Sequence, residues 1–242
     1  MFAWRIHLAL LLSAFFLISA GLSGCDGTDT SPSASSTVET EQTHDLSMAG
    51  GTETPATTGP LFAFLGDSVT AGLHVDELQA FPALIEASLR KKGRPLRVLN
   101  AGRSGDTTAG GLRRIDWILA QKPQWVVVEL GANDGMSGQK VQEIEKNLRA
   151  IVARVQAAGA RPLLLGMRIP SNYGVDYAES FAQLYDQLAA DLKIDYVPFF
   201  MEGVAGVAKF NHSDGIHPNA EGHRIIADRL APVIERLLAG DS

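Results

Sequence analysis

Ser68, Asp214 and His217 are the side chains whose types and order could perform acyl transfer. That chemistry needs a nucleophile, a base to take its proton, a group to hold the base, and donors for the developing oxyanion. Ser68 follows Gly66-Asp67 at the end of an apolar run, where a tight turn can expose its hydroxyl. Asp214 precedes His217 by three residues, a spacing at which one turn puts both side chains on the same side. Ser68 and Gly105 could supply backbone N–H groups to the oxyanion, and Asn133 its side-chain amide. The chain order Ser, Asp, His is one of several that such triads use.

Each of these residues also has a plain structural reading. Gly66-Asp67-Ser68 is an ordinary turn and helix cap, Asn133 could cap a helix, and Gly105-Asp106-Thr107 could start one. Asp214-Gly215 is a common turn, and Pro218 keeps His217 extended in either role. Among the other histidines, His212 is near enough to Asp214 to substitute as base. His74 is expected on the rim or surface, and His223 facing solvent or capping its helix. Asp67, Asn133, Asp134, Asp214 and His217 are also metal-ligand types. A metallophosphoesterase, however, usually carries Asp-x-His after its first strand, and here Ser68-Val69 follow Asp67. Neither metal nor cofactor is expected.

Five apolar runs of strand length would position these groups: 61–65, 96–99, 125–130, 162–167 and 195–199. They are nearly continuous, as parallel strands buried on both faces require. Helical patterns over 80–91, 111–120, 141–158, 177–192 and 220–238 alternate with them. The pattern predicts one three-layer α/β domain with a five-stranded parallel sheet in the flavodoxin-like order 2-1-3-4-5. In such sheets ligands bind beyond the carboxyl ends of the strands. The segments at 66–68, 100–106, 131–134 and 214–218 all converge there. Glu129 interrupts a central strand and is expected to be a buried structural carboxylate, with Arg168 as a candidate partner. Gly135-Met136-Ser137-Gly138 is expected to be a mobile wall beside the acyl group.

The N-terminus has a separate logic. Arg5, an apolar run from Leu8 to Leu22 and then Leu22-Ser23-Gly24-Cys25 predict a secretory signal over 1–24. Leu-Ser-Gly-Cys resembles the bacterial lipobox, which implies lipidation of Cys25 and the periplasmic side of a membrane. Cys25 is the only cysteine, which excludes an intrachain disulfide, a Cys-rich zinc site and a CxxC pair. Residues 26–59 hold nine Thr, five Ser and six acids, with no Lys, Arg or aromatic. Such a segment cannot offset its ordering entropy by burial and is expected to be a tether spanning about 30–35 Å. The remaining domain, 60–242, is nearly neutral with 20 basic and 21 acidic residues, so no nucleic-acid partner is expected. A monomer is expected, held at a membrane only through Cys25.

Gly66-Asp67-Ser68, Gly105, Gly131-x-Asn133-Asp134 and Asp214-x-x-His217 resemble the four sequence blocks of the GDSL family, also called SGNH hydrolases. Glu129-Leu130-Gly131, Pro170–Gly174, Pro198–Met201 and Asp214–Asn219 are similar to its bacterial thioesterase I, lysophospholipase and arylesterase subgroup. The resemblance implies hydrolysis of acyl esters or thioesters with Ser68 as nucleophile and Asp214 and His217 completing the triad. It also implies an oxyanion hole of Ser68, Gly105 and Asn133, and substrate contacts at Met136, Pro170 and Tyr173. Gly102 rivals Gly105, because the second block reads Ala-Gly-Arg-Ser-Gly. A carbohydrate O-acetyl esterase is the nearest competing activity, and a non-catalytic ligand-binding lipoprotein a more distant one.

Overall fold

A computed structural model describes residues 59–240. The expectations for the signal segment, Cys25 and residues 26–58 of the tether lie outside the described residues. Five parallel strands, β1 (Leu61–Gly66), β2 (Arg97–Gly102), β3 (Trp125–Glu129), β4 (Arg161–Leu165) and β5 (Asp195–Val197), form one sheet in the order β2-β1-β3-β4-β5. Every residue of β1 and β3 is buried, which is why their sequences show no alternation of apolar and polar side chains.

The helices are α1 (Ser68–Ala71), α2 (Phe81–Lys91), α3 (Thr108–Leu119), α4 (Ala132–Met136), α5 (Val141–Ala157), α6 (Val175–Leu192) and α7 (Ala220–Ala239). Right-handed crossovers in this strand order send α2 to one face and α3, α5 and α6 to the other. The packing agrees, with α2 against α7 and α5 against both α3 and α6. Register then sets the site. Gly66 pairs with Gly102 of β2 on one side and with Glu129 of β3 on the other, so three strands end at the same level.

Several boundaries differ from the sequence reading. β2 runs on to Gly102, since pairing with β1 holds Asn100 and Gly102 extended against their low strand propensity. α3 starts at Thr108, three residues before the expected start at Gly111, because Thr107 caps it by accepting from Gly110 N–H. α1 and α4 hold four and five residues, too few to leave a periodic pattern. Gly135 therefore does not loosen a mobile wall. It lies inside α4, and a Cβ there would meet Phe181 at 2.8 Å and Ile169 at 3.0 Å. His223 does not face solvent or cap α7. It is fully buried, accepts a 3.3 Å hydrogen bond from Phe81 N–H at Nδ1, and burial pushes its pKa down to about 4. Among the described residues no helix is long and apolar enough to cross a membrane.

Candidate active site

The turn from β1 into α1 presents Ser68. Asp67 caps that turn by accepting from Val69 N–H at 3.0 Å, which leaves Ser68 as the first helical residue with an N–H that a helix start does not use. The Ser68 hydroxyl lies 2.9 Å from His217 Nε2, and His217 Nδ1 lies 2.7 Å from Asp214 Oδ2. The second Asp214 oxygen accepts from Ile216 N–H at 2.9 Å and His217 N–H at 3.0 Å. Asp214 therefore both closes the turn and faces the His217 ring. These hydrogen bonds, the His217 backbone and side chain foremost, keep the Asp214 carboxyl well below the usual carboxylate range. Asp214 stays ionised and holds Nδ1 as the protonated nitrogen, which leaves the Nε2 lone pair facing Ser68.

The loop carrying Asp214 and His217 is fastened at its base. Asn211 bridges to Pro218, its amide donates to the carbonyls of Val204 and Val207, and Asn219 N–H donates to Phe210 O. His212 does not substitute for His217: its backbone N–H donates to His217 O at 2.8 Å, and its side chain makes no hydrogen bond to Ser68 or Asp214.

Two further segments complete the rim. Gly131, at φ +125°, turns the chain from β3 into α4 in a conformation side chains rarely adopt, and a Cβ there would meet the Tyr185 hydroxyl at 2.1 Å. Asn133 lies in the first turn of α4, but its amide caps nothing. It donates to Asp106 O at 2.8 Å and to Asp67 Oδ2 at 3.2 Å. Asp134 beside it is spent on α3, accepting from Thr108 N–H and the Thr108 hydroxyl. Gly105 sits at φ +74°, exposed, and its N–H has no acceptor among the described residues. Gly102 has a packing reason instead, since a Cβ would lie 2.2 Å from Ala71 N. The loop between them is pinned by Arg114. Its guanidinium donates to Asp106 Oδ2, Ala101 O and Gly66 O, and so ties the ends of β1 and β2 to the residue after Gly105.

The ligand types that would suit a metallophosphoesterase do not assemble. Among the described residues the group of such side chains close enough to share an ion is His74, Asp214 and His217, without Asp67 or Asp134.

Beside Ser68 opens a cleft of about 520 Å³. Met136, Pro170 and Tyr173 line it, together with Met167, Ile169, Phe199, Phe200, Met201 and Ile216. A sequence model of the GDSL-like lipase/acylhydrolase family matches residues 64–225. The chain belongs to this family. Esterase TesA of Pseudomonas aeruginosa is 42% identical over 175 residues, covering 72% of this chain and 87% of that protein. Thioesterase 1/protease 1/lysophospholipase L1 of Escherichia coli K12 is 42% identical over 179 residues, 74% of this chain and 85% of that protein. The crystal structure of a psychrotrophic esterase, EstA from Pseudoalteromonas sp., inhibited by monoethylphosphonate, aligns with a TM-score of 0.71 at 32% identity, over 74% of this chain and 99% of that one.

Within this GDSL-like hydrolase, one part of the site was misread from sequence. Glu129 is buried and structural, but Arg168 is not its partner. Arg168 is exposed, with its guanidinium 5.1 Å from the Phe199 ring centre. Glu129 Oε2 instead accepts from Asp67 N–H at 3.1 Å and the Thr70 hydroxyl at 2.6 Å. Gly66 makes room for this, because a Cβ there would meet Thr70 Oγ1 at 2.0 Å. Burial, then the charge of Asp67, raise the Glu129 pKa well above its ordinary value, and burial pushes Asp67 up to about 6. Glu129 Oε1 is buried with no hydrogen-bond partner, an environment that favours the neutral acid.

The native state keeps a proton that the unfolded chain releases above the ordinary value of 4.5, so this group's contribution to stability is present at low pH and is lost as pH rises. Gln at 129 offers the same acceptor and a permanent donor without titrating. The melting temperature of Glu129→Gln relative to wild type is expected to climb as pH rises from about 5 to 8, at up to about 1.4 kcal/mol of stability per unit. A difference that stays flat or falls across that range, followed by calorimetry, would show Glu129 ionised in the native state.

Proposed function

We propose that this chain is a serine esterase and thioesterase acting on medium-length acyl groups through an acyl-enzyme. The observation that carries this is the unbroken chain Ser68 Oγ, His217 Nε2, Nδ1 and Asp214 Oδ2 at the edge of an apolar cleft. Ser68 Oγ attacks the acyl carbon as its proton passes to Nε2, and the ionised Asp214 stabilises the imidazolium. The N–H groups of Ser68 and Gly105 and the Asn133 amide receive the oxyanion. Collapse expels the alcohol or thiol, which takes the proton from Nε2, and water repeats the sequence on the acyl-enzyme. All these groups come from one chain, so the reaction needs a single copy. The relatives named esterase, and thioesterase and lysophospholipase, support the substrate class.

The cleft decides between this reading and carbohydrate O-acetyl esterase activity. Its walls at Met136, Ile169, Tyr173, Phe199 and Met201 suit a hydrocarbon chain. With p-nitrophenyl esters and acyl-CoA thioesters of graded length, kcat/KM should rise by up to about fourfold per methylene until the cleft is full, since each buried CH₂ contributes about 0.8 kcal/mol. Activity should survive a chelator. A preference for acetyl esters with no gain on lengthening would favour the carbohydrate esterase instead.

We further propose that the mature chain begins at a lipidated Cys25 and acts on the periplasmic side of a bacterial membrane. The sequence Leu22-Ser23-Gly24-Cys25 and the polar segment after it support this. Cys25→Ser expressed in a bacterium should move the protein from the membrane to the soluble fraction. Unchanged partitioning would overturn the anchor.

A further inference from the structure

We propose that His74, together with Asp214 and His217, forms a binding site for a borderline-soft divalent cation such as Zn²⁺, through which the metal reversibly silences the enzyme. One potential ligand atom from each of the three side chains lies within 4.8 Å of the others. Two imidazoles and a carboxylate are a donor set that suits zinc or copper and not magnesium or calcium, which take oxygen. Tetrahedral zinc with bonds of about 2.0–2.1 Å needs its ligands roughly 3.4 Å apart. His74 and Asp214 are both exposed, so side-chain rotation can close that gap.

His74 holds no other group in place among the described residues. It sits in the turn after α1 at φ +70°, a left-handed conformation uncommon for a residue with a side chain. Among the described residues its side chain makes no hydrogen bond. Its ring makes two edge-to-face approaches, to His217 at 5.9 Å and to His212 at 5.4 Å. His212 in turn has a buried Nε2 without a partner, so a third imidazole lies against the cluster. Strained backbone that aims an uncommitted imidazole at a catalytic one fits a ligand site better than a surface turn.

Inhibition follows whichever nitrogen of His217 the metal takes. Bound at Nε2, the cation occupies the lone pair that would receive the Ser68 proton. Bound at Nδ1, it replaces the proton that Asp214 holds.

The inference rests on the triad reading, and its test separates the two. Zn²⁺ is titrated by calorimetry into the full-length protein and its Ser68→Ala and His74→Asn variants, and in parallel into p-nitrophenyl ester assays of wild type and His74→Asn. Asn tolerates the left-handed conformation, so the turn is preserved. One zinc is expected to bind wild type and Ser68→Ala alike. Wild-type hydrolysis should fall with zinc occupancy, recover with EDTA, and be unmoved by Mg²⁺ or Ca²⁺. His74→Asn should hydrolyse like wild type without metal, while its zinc affinity and zinc inhibition weaken by about 100-fold, at or beyond the loss from disturbing a ligand's support. Equal zinc sensitivity of wild type and His74→Asn, or no binding to Ser68→Ala, overturns the site. Zinc binding with no ester hydrolysis by any variant would leave the metal site standing and overturn the hydrolase reading.

Discussion

Ser68→Ala is expected to lower kcat by about 10⁴–10⁶-fold while leaving the melting temperature within a degree or two. The size of the loss follows from the way the triad acts as a unit. Without Oγ no acyl-enzyme forms, and His217 and Asp214 have nothing to activate except water. What survives is transition-state stabilisation by the remaining oxyanion donors and by the cleft. The mild effect on stability follows from the site's construction. Ser68 Oγ has a single partner, His217 Nε2, whereas the turn itself is held by Asp67, by Thr70 on Glu129, and by Asn100, whose amide donates to Thr70 O. A fluorophosphonate should label wild type on Ser68 and fail to label the variant. An adduct found by mass spectrometry on another serine would remove Ser68 from the mechanism.

How much of this was legible depended on whether a feature was local. The strands could be read because burial on both faces writes itself as consecutive apolar residues, as in Phe62-Ala63-Phe64-Leu65 and Val126-Val127-Val128. The triad could be read because Asp214 and His217 lie in one turn, and because strand ends in a parallel sheet share an edge. The Asp67–Glu129 pair could not, since those residues are 62 apart and meet only through the register of β1 on β3. Arg114 was missed for a related reason. On α3 it reads as one of two adjacent arginines on a solvated face, and its three acceptors lie in three different segments. His223 was misread although a signal existed. It falls on the stripe of α7 that carries Ile226, Leu230 and Ile234, all buried, and helical spacing outweighs residue type there. Gly135 is the opposite error, a glycine taken for freedom where the backbone is sealed against Phe181.

Asn133→Ala is expected to lower kcat by about 10²–10³-fold and change KM little, because its amide meets the substrate oxygen mainly once that oxygen carries charge. In the free enzyme both amide hydrogens are engaged, one firmly by Asp106 O at 2.8 Å and the other at 3.2 Å by Asp67 Oδ2. The first contact fixes the plane of the amide. The second is long, and it is the one an oxyanion can compete for. The burial that pushes Asp67 upward marks a carboxylate whose charge is poorly supported. An oxyanion is then the better partner in the transition state, and the neutral ground-state carbonyl is not. That difference is what puts the loss in kcat and not in KM. Stability should fall by about 1–3 kcal/mol, the cost of leaving Asp106 O and Asp67 short of a donor. Steady-state kinetics and thermal melts on the same sample separate the two roles. A lowered melting temperature with unchanged kcat would make Asn133 a strut between the β2 and β3 loops and leave the oxyanion to the N–H groups of Ser68 and Gly105.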